Sequence, residues 1–113
     1  MDAKHTPGPW CVEDDTFLVW GACQLGDDGT PDFFGIPVAR AETSHEWERH
    51  YGYQRRPGET DANARLIAAA PELLEALCRL MRPATEAIAQ TAEEMEADFA
   101  FARAAIAKAK GEA

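Results

Sequence analysis

Residues 45–56, HEWERHYGYQRR, gather many of the side chains in this chain that could do chemistry. Trp47, Tyr51 and Tyr53 are interleaved with Arg49, Arg55 and Arg56, with a glycine between the two tyrosines. Aromatic planes stack on bases, and a guanidinium fork holds phosphate or carboxylate through paired bonds where lysine offers only a point charge. The pattern reads as a binding surface for an aromatic, anionic ligand. The plainer reading of the same residues is a surface loop whose Trp47 closes over the core.

A metal is not expected. HEWERH (45–50) looks like a zinc-protease helix, but that site needs histidines at i and i+4, and position 49 is arginine. His50 lies five residues after His45, about 140° around a helix. Adding Cys11 and Cys23 completes no ligand spacing. No nucleophile elbow, phosphate loop or dinucleotide fingerprint is present, so no catalytic residue and no cofactor are assigned, and the chain reads as a non-enzyme. Asp27-Asp28 and the run Glu93, Glu94, Glu96 read as solvated surface. Cys11, Cys23 and Cys78 are odd in number and irregular in spacing, which suits reduced thiols in a cytoplasm better than a disulfide framework.

Charge narrows the partners. The net charge is −9, which repels nucleic acid polymers overall. Residues 41–82 nonetheless hold six basic residues against seven acidic ones, and all six are arginines. No window approaches the 18 apolar residues of a membrane span, and the N-terminus lacks the layout of a signal peptide.

The elements that must position these residues fit one domain, since 113 residues supply one modest core. HTPGPW (5–10) is a turn. WCVEDDTFLVW (10–20) reads as a hairpin around Asp14-Asp15, with Trp10 and Val12 on one side and Phe17 and Val19, or Leu18 and Trp20, on the other. GDDGTPD (26–32) is a second turn, and FFGIPVARA (33–41) is a strand that Pro37 places at an edge. Residues 42–59 form a loop with one helical turn near Glu46. Thr60 is expected to cap the next helix, with Asp61 in its first turn. Pro71 interrupts an otherwise continuous helical pattern. Proline is tolerated in a first turn, so it starts a second helix whose apolar face is Leu73, Leu74, Leu77, Leu80 and Met81, and the chain turns at Ala70. Pro83 is expected to repeat the device and start a third helix that runs to about Lys110. The fold class is α+β: a small N-terminal antiparallel sheet over 10–41, then two short helices and one long C-terminal helix over 60–110.

That last helix spaces Ile88, Ala92, Met95, Phe99, Ala102, Ile106 and Ala109 by fours and threes. Such a stripe suits a helix–helix seam, so Met95, Phe99 and Ile106 are expected to join copies into a homo-oligomer. The alternative is that the stripe lies on its own core.

HTPGPW followed about fifty residues later by NARLIAAAPELLEAL (63–77) resembles a group of small phage and prophage proteins. Within that style of protein, the chain is similar to the Thoeris anti-defence nucleotide sponges, which pair an N-terminal antiparallel sheet with C-terminal helices. The resemblance implies a homo-oligomer in the cytoplasm of an infected bacterial host. It would sequester a cyclic nucleotide second messenger, a cyclic ADP-ribose isomer or a cyclic oligonucleotide, without hydrolysing it. The ligand-binding candidates are then Trp47 or Tyr53 for stacking, Asn63 for a base edge or ribose, and Arg56, Arg79 and Arg82 for phosphates. The competing reading is an acidic inhibitor that occupies a host defence enzyme by charge mimicry. Clustered arginines in a cleft would favour the first, and clustered carboxylates on an exposed face the second.

Overall fold

The computed structural model describes residues 4–43 and 46–112, and only the backbone of Glu46 and Trp47. The fold is α+β: strands come first, then helices. β1 (Cys11–Glu13) and β2 (Leu18–Gly21) pair as the expected hairpin, with Val12 opposite Val19. The connection tightens where Phe17 adopts φ 57° and its N–H donates to the Glu13 carbonyl at 2.9 Å. Thr16 reinforces it, donating to Glu13 Oε1 at 3.0 Å.

A short ribbon follows, β3 (Gln24–Leu25) against β4 (Pro31–Phe33), closed by the GDDGT turn. In that turn Asp28 Oδ1 accepts from the N–H and the hydroxyl of Thr30, and these bonds hold its carboxyl below the usual range. The stretch expected as one strand is thus divided at Gly35, between β4 and β5 (Ile36–Arg40). Gly35 has φ 84°, and a Cβ there would lie 2.1 Å from the Gly21 carbonyl oxygen, so the chain turns where only glycine fits. β5 completes a three-stranded sheet in the order β1-β2-β5. It is an edge strand, and the register slips between Val19 and Trp20, where Pro37 offers no N–H.

The loop carries more helix than one turn: α1 runs Glu46–Tyr51. Arg55 fastens the segment after it, donating to the Glu42 carbonyl at 2.6 Å and to Thr60 Oγ1 at 3.3 Å, with Glu48 beside it at 3.6 Å. That use of its hydroxyl takes Thr60 away from capping. α2 (Glu59–Ala68) starts two residues earlier than a Thr60 cap would set, behind Gly58 at φ 79°, and Thr60 lies in its first turn.

Pro71 sits in the first turn of α3 (Ala70–Glu86), as its missing donor requires. The junction falls at Ala69 rather than Ala70, and the Ala69 N–H still reaches the Arg65 and Leu66 carbonyls. Pro83 does not start a helix. It lies inside α3, which continues to Glu86 and stops where Ala87 turns left-handed, so this helix is long rather than short. α4 (Ala92–Lys110) begins later, capped by Thr91 Oγ1, which accepts from the Glu94 N–H at 3.1 Å, and ends at Gly111. Ile88 therefore falls in the connection and not on the helical stripe.

α3 and α4 form an antiparallel hairpin. Glu72 pairs with Lys108 at 2.9 Å, and Arg79, two turns along, covers the ring of Phe101, two turns back, at 4.0 Å. The helices meet through small residues: Ala64, Ala68 and Ala69, then Ala76, then Ala105 are buried. Leu73 is half-buried, but Leu74, Leu77, Leu80 and Met81, expected to face the core with it, are exposed. Among the described residues Val19 is the only large side chain that is fully buried.

Candidate functional site

The segment HTPGPW runs along the end of β2: Pro7 O accepts from the Ala22 N–H at 2.8 Å, and Pro9 O from the Cys23 N–H at 3.2 Å. The indole of Trp10 turns back and donates to the Thr6 carbonyl at 3.0 Å. Gly8 passes Pro71 so closely that a Cβ on it would meet the proline Cβ at 3.4 Å. The two sequence motifs, some fifty residues apart, thus pack against each other, and a cleft opens on each side of their contact.

The first cleft, about 560 Å³, lies between β1 and the three later helices, and its walls include Trp10, Cys11, Arg65, Glu72, Phe101 and Lys108. The second, about 580 Å³, lies on the other side of Pro9 and includes His5, Leu74, Glu75 and Cys78, sharing Glu72 and Phe101 with the first. Both volumes are in the range of small-molecule sites.

Charge in the first cleft is largely paired. Arg65 Nε holds Asp61 at 3.0 Å, and its Nη2 stands 3.7 Å from Asp14. Lys108 holds Glu72 Oε1. Glu72 Oε2 is different: it is buried and has no hydrogen-bond partner among the described residues. A buried acceptor of that kind favours a ligand that brings an N–H or O–H to it. Arg65 and Lys108 could meet a ligand anion by giving up part of their carboxylate contacts.

Burial, and then the neighbouring Cys23 thiol, push the Cys11 pKa up to about 12. The Cys23 thiol is itself occupied, donating to the Phe34 carbonyl at 2.9 Å and the Trp20 carbonyl at 3.3 Å. A raised pKa disfavours the thiolate that attacks or ligates at Cys11. Among the described residues, no group of three or more His, Cys, Asp or Glu is placed to hold a metal ion.

The residues singled out from sequence lie elsewhere. Tyr53 is exposed, and its hydroxyl donates to Glu59, a bond that raises the phenol pKa. Arg56 is exposed in the same segment, and Asn63 is exposed on α2. Arg79 is engaged by the Phe101 ring and by Glu75 at 3.0 Å, while Arg82 stands exposed near the end of α3. None of these five lines either cleft. The side chain of Trp47, like His45, lies outside the described residues. Met95, Phe99 and Ile106 are exposed on α4.

The cleft residues Trp10, Arg65, Glu72, Phe101 and Lys108 were not read from the sequence as a set. Three of them sit in or beside the two motifs. The signal was available as motif membership, but only the packing of Gly8 on Pro71 shows that the motifs share a wall.

Fold and clefts together define a small α+β protein with two mixed aromatic and charged clefts, one between its sheet and its helices and one between the N-terminal turn and α3 and α4. Residues 1–113 match the family described as Salmonella phage P22 protein Y8K6 over their whole length, and the chain belongs to that phage protein family. No curated protein and no solved structure matches the chain. Among the described residues, no helix is long and apolar enough to cross a membrane.

Proposed function

We propose that this phage protein is a sponge: it binds a cyclic nucleotide second messenger of host immunity and sequesters it without turnover. One observation carries the reading. The two motifs converge on a cleft of about 560 Å³ that combines the aromatic rings of Trp10 and Phe101, the cations of Arg65 and Lys108, and the unpartnered Glu72 Oε2. Trp10 would stack on a base, Arg65 and Lys108 would meet phosphates, and Glu72 would accept from a base N–H or a ribose hydroxyl. Tyr53, Arg56, Asn63, Arg79 and Arg82 are the other candidate contacts for the same ligand class.

Calorimetry against cyclic dinucleotides, cyclic trinucleotides and cyclic ADP-ribose isomers tests the reading. A charge-assisted bond to phosphate is worth roughly 1.5–3 kcal/mol, so loss of one cation weakens binding about ten- to a hundredfold. If the cleft is the site, Arg65→Ala does this and Arg82→Ala does not; the reverse result moves the ligand from the cleft to Arg82 on α3. No heat with any compound, in a sample free of co-purified nucleotide, refutes the sponge. The second reading is charge mimicry, favoured by the exposed carboxylates of Glu93, Glu94 and Glu96 on the first turns of α4. It requires that triple charge reversal abolish inhibition of a host defence enzyme while leaving nucleotide binding untouched.

A further inference from the structure

We infer that a second copy of this chain covers the outer face of the α3–α4 hairpin, completing a four-helix bundle from two identical hairpins. The face is apolar and layered. The register set by Glu72 with Lys108 and Arg79 with Phe101 brings Leu74 level with Ile106, Leu77 with Ala102, and Met81 with Phe99. On α3 the series Ala70, Leu74, Leu77, Met81 and Ala84 advances by fours and threes, as Met95, Phe99, Ala102 and Ile106 do on α4. By the helical period, the centre of each stripe points away from Glu72, Phe101 and Lys108, which face the clefts; Leu74 stands at the edge where the α3 stripe meets the second cleft. The antiparallel arrangement puts both stripes on the same side of the hairpin. Leu77 is 62 % exposed, Met81 57 % and Phe99 44 %.

The isolated chain exposes more surface than the average folded monomer of its mass. A folded protein of 12.4 kDa exposes about 6,100 Å² by the scaling of surface with mass, whereas this chain exposes 8123 Å². The excess of roughly 2,000 Å² exceeds the ~800 Å² per partner that a stable interface buries. The radius of gyration, 16.7 Å, is likewise above the ~13 Å of a compact chain of this length. A second copy fits the face because its stripes share one 4-3 spacing and meet their own image across a two-fold axis. At the rim, Arg103 and Glu96 are already paired at 2.6 Å.

This inference stands apart from the choice of ligand. Sedimentation velocity at 50 µM tests it on the full chain. The expected result is a species of twice the chain mass for the wild type, and a shift to single-chain mass for Leu77→Glu and Phe99→Glu, with dissociation constants raised at least a hundredfold. Gln24→Glu, on the exposed β3 strand, should leave the mass unchanged. Circular dichroism reports whether the variants fold. If they do not, hydrogen exchange of the wild type above and below the dissociation constant replaces them, with protection of residues 74–81 and 95–106 rising with concentration. A wild type that stays monomeric at 50 µM overturns the inference and leaves the face to a different protein. An oligomer that folded Leu77→Glu and Phe99→Glu do not weaken, or exchange in α3 and α4 that ignores concentration, overturns it as well.

Discussion

Replacing Lys108 by methionine should destabilise the protein far more than replacing its partner Glu72 by leucine. Lys108 Nζ is the only hydrogen-bond donor that the described residues offer to the Glu72 carboxylate; Oε1 receives it at 2.9 Å, and Oε2 is buried with none. Without the lysine, a carboxylate with both oxygens unpaired stays in the cleft wall, its side chain only 25 % exposed. Losing a charge-assisted bond and stranding a desolvated acceptor together cost about 2–3 kcal/mol. Glu72→Leu removes the stranded oxygen along with the charge, and Lys108, at the C-terminal end of α4, can turn its ammonium to solvent. That change should cost under about 1 kcal/mol. Each substitution also forfeits a helix-dipole contribution of about 0.3–1 kcal/mol, which is the same size on both sides and leaves the difference intact. The assay is urea unfolding at one fixed protein concentration, because association adds to apparent stability. The double variant should be more stable than Lys108→Met alone. Equal costs for the two single variants, or a double variant that loses both in full, would refute the account of an orphaned carboxylate.

Gly35→Ala should cost more than about 3 kcal/mol, since a left-handed φ and a Cβ driven onto the Gly21 carbonyl act together; thermal melting checks it. Thr91→Ala removes the α4 cap and should cost about 1 kcal/mol, with hydrogen exchange rising first at Glu93 and Glu94. The Cys11 pKa is raised from 9.0 to about 12 on folding, so the folded state favours the neutral thiol. Its contribution is therefore whole below pH 9 and is lost as pH climbs towards 12. Stability of Cys11→Ala should fall less over that range than stability of the wild type. At pH 8, iodoacetamide should label exposed Cys78 well before Cys11.

Much of the architecture could be read along the chain because its causes are local. Asp14-Asp15 between alternating apolar residues spells a hairpin, Pro37 spells an edge, and Pro71 spells a first turn; each constraint acts within a few residues. The same local reading failed at Pro83. A proline near the end of a helix removes one hydrogen bond, and α3 runs only three residues beyond Pro83 before Ala87 turns left-handed. The true start of α4 was legible as TAEE (91–94), a capping spelling that the proline obscured. Thr60 looked like a cap because its type suits one, but Arg55 and Glu42 engage its hydroxyl from outside the helix.

The sequence by itself determined composition, element types and the two motifs, because these depend on residue identity and short spacing. Only the tertiary structure decided which faces meet. Helical period alone says that Leu74, Leu77 and Met81 share a side of α3; it cannot say whether that side meets the sheet, a neighbour or water. The chain buries alanines instead, and leaves Leu74, Leu77 and Met81 outside. Likewise Trp10, Glu72 and Lys108 are scattered along the chain, and they become one cleft wall only when Gly8 lets the N-terminal turn settle onto Pro71.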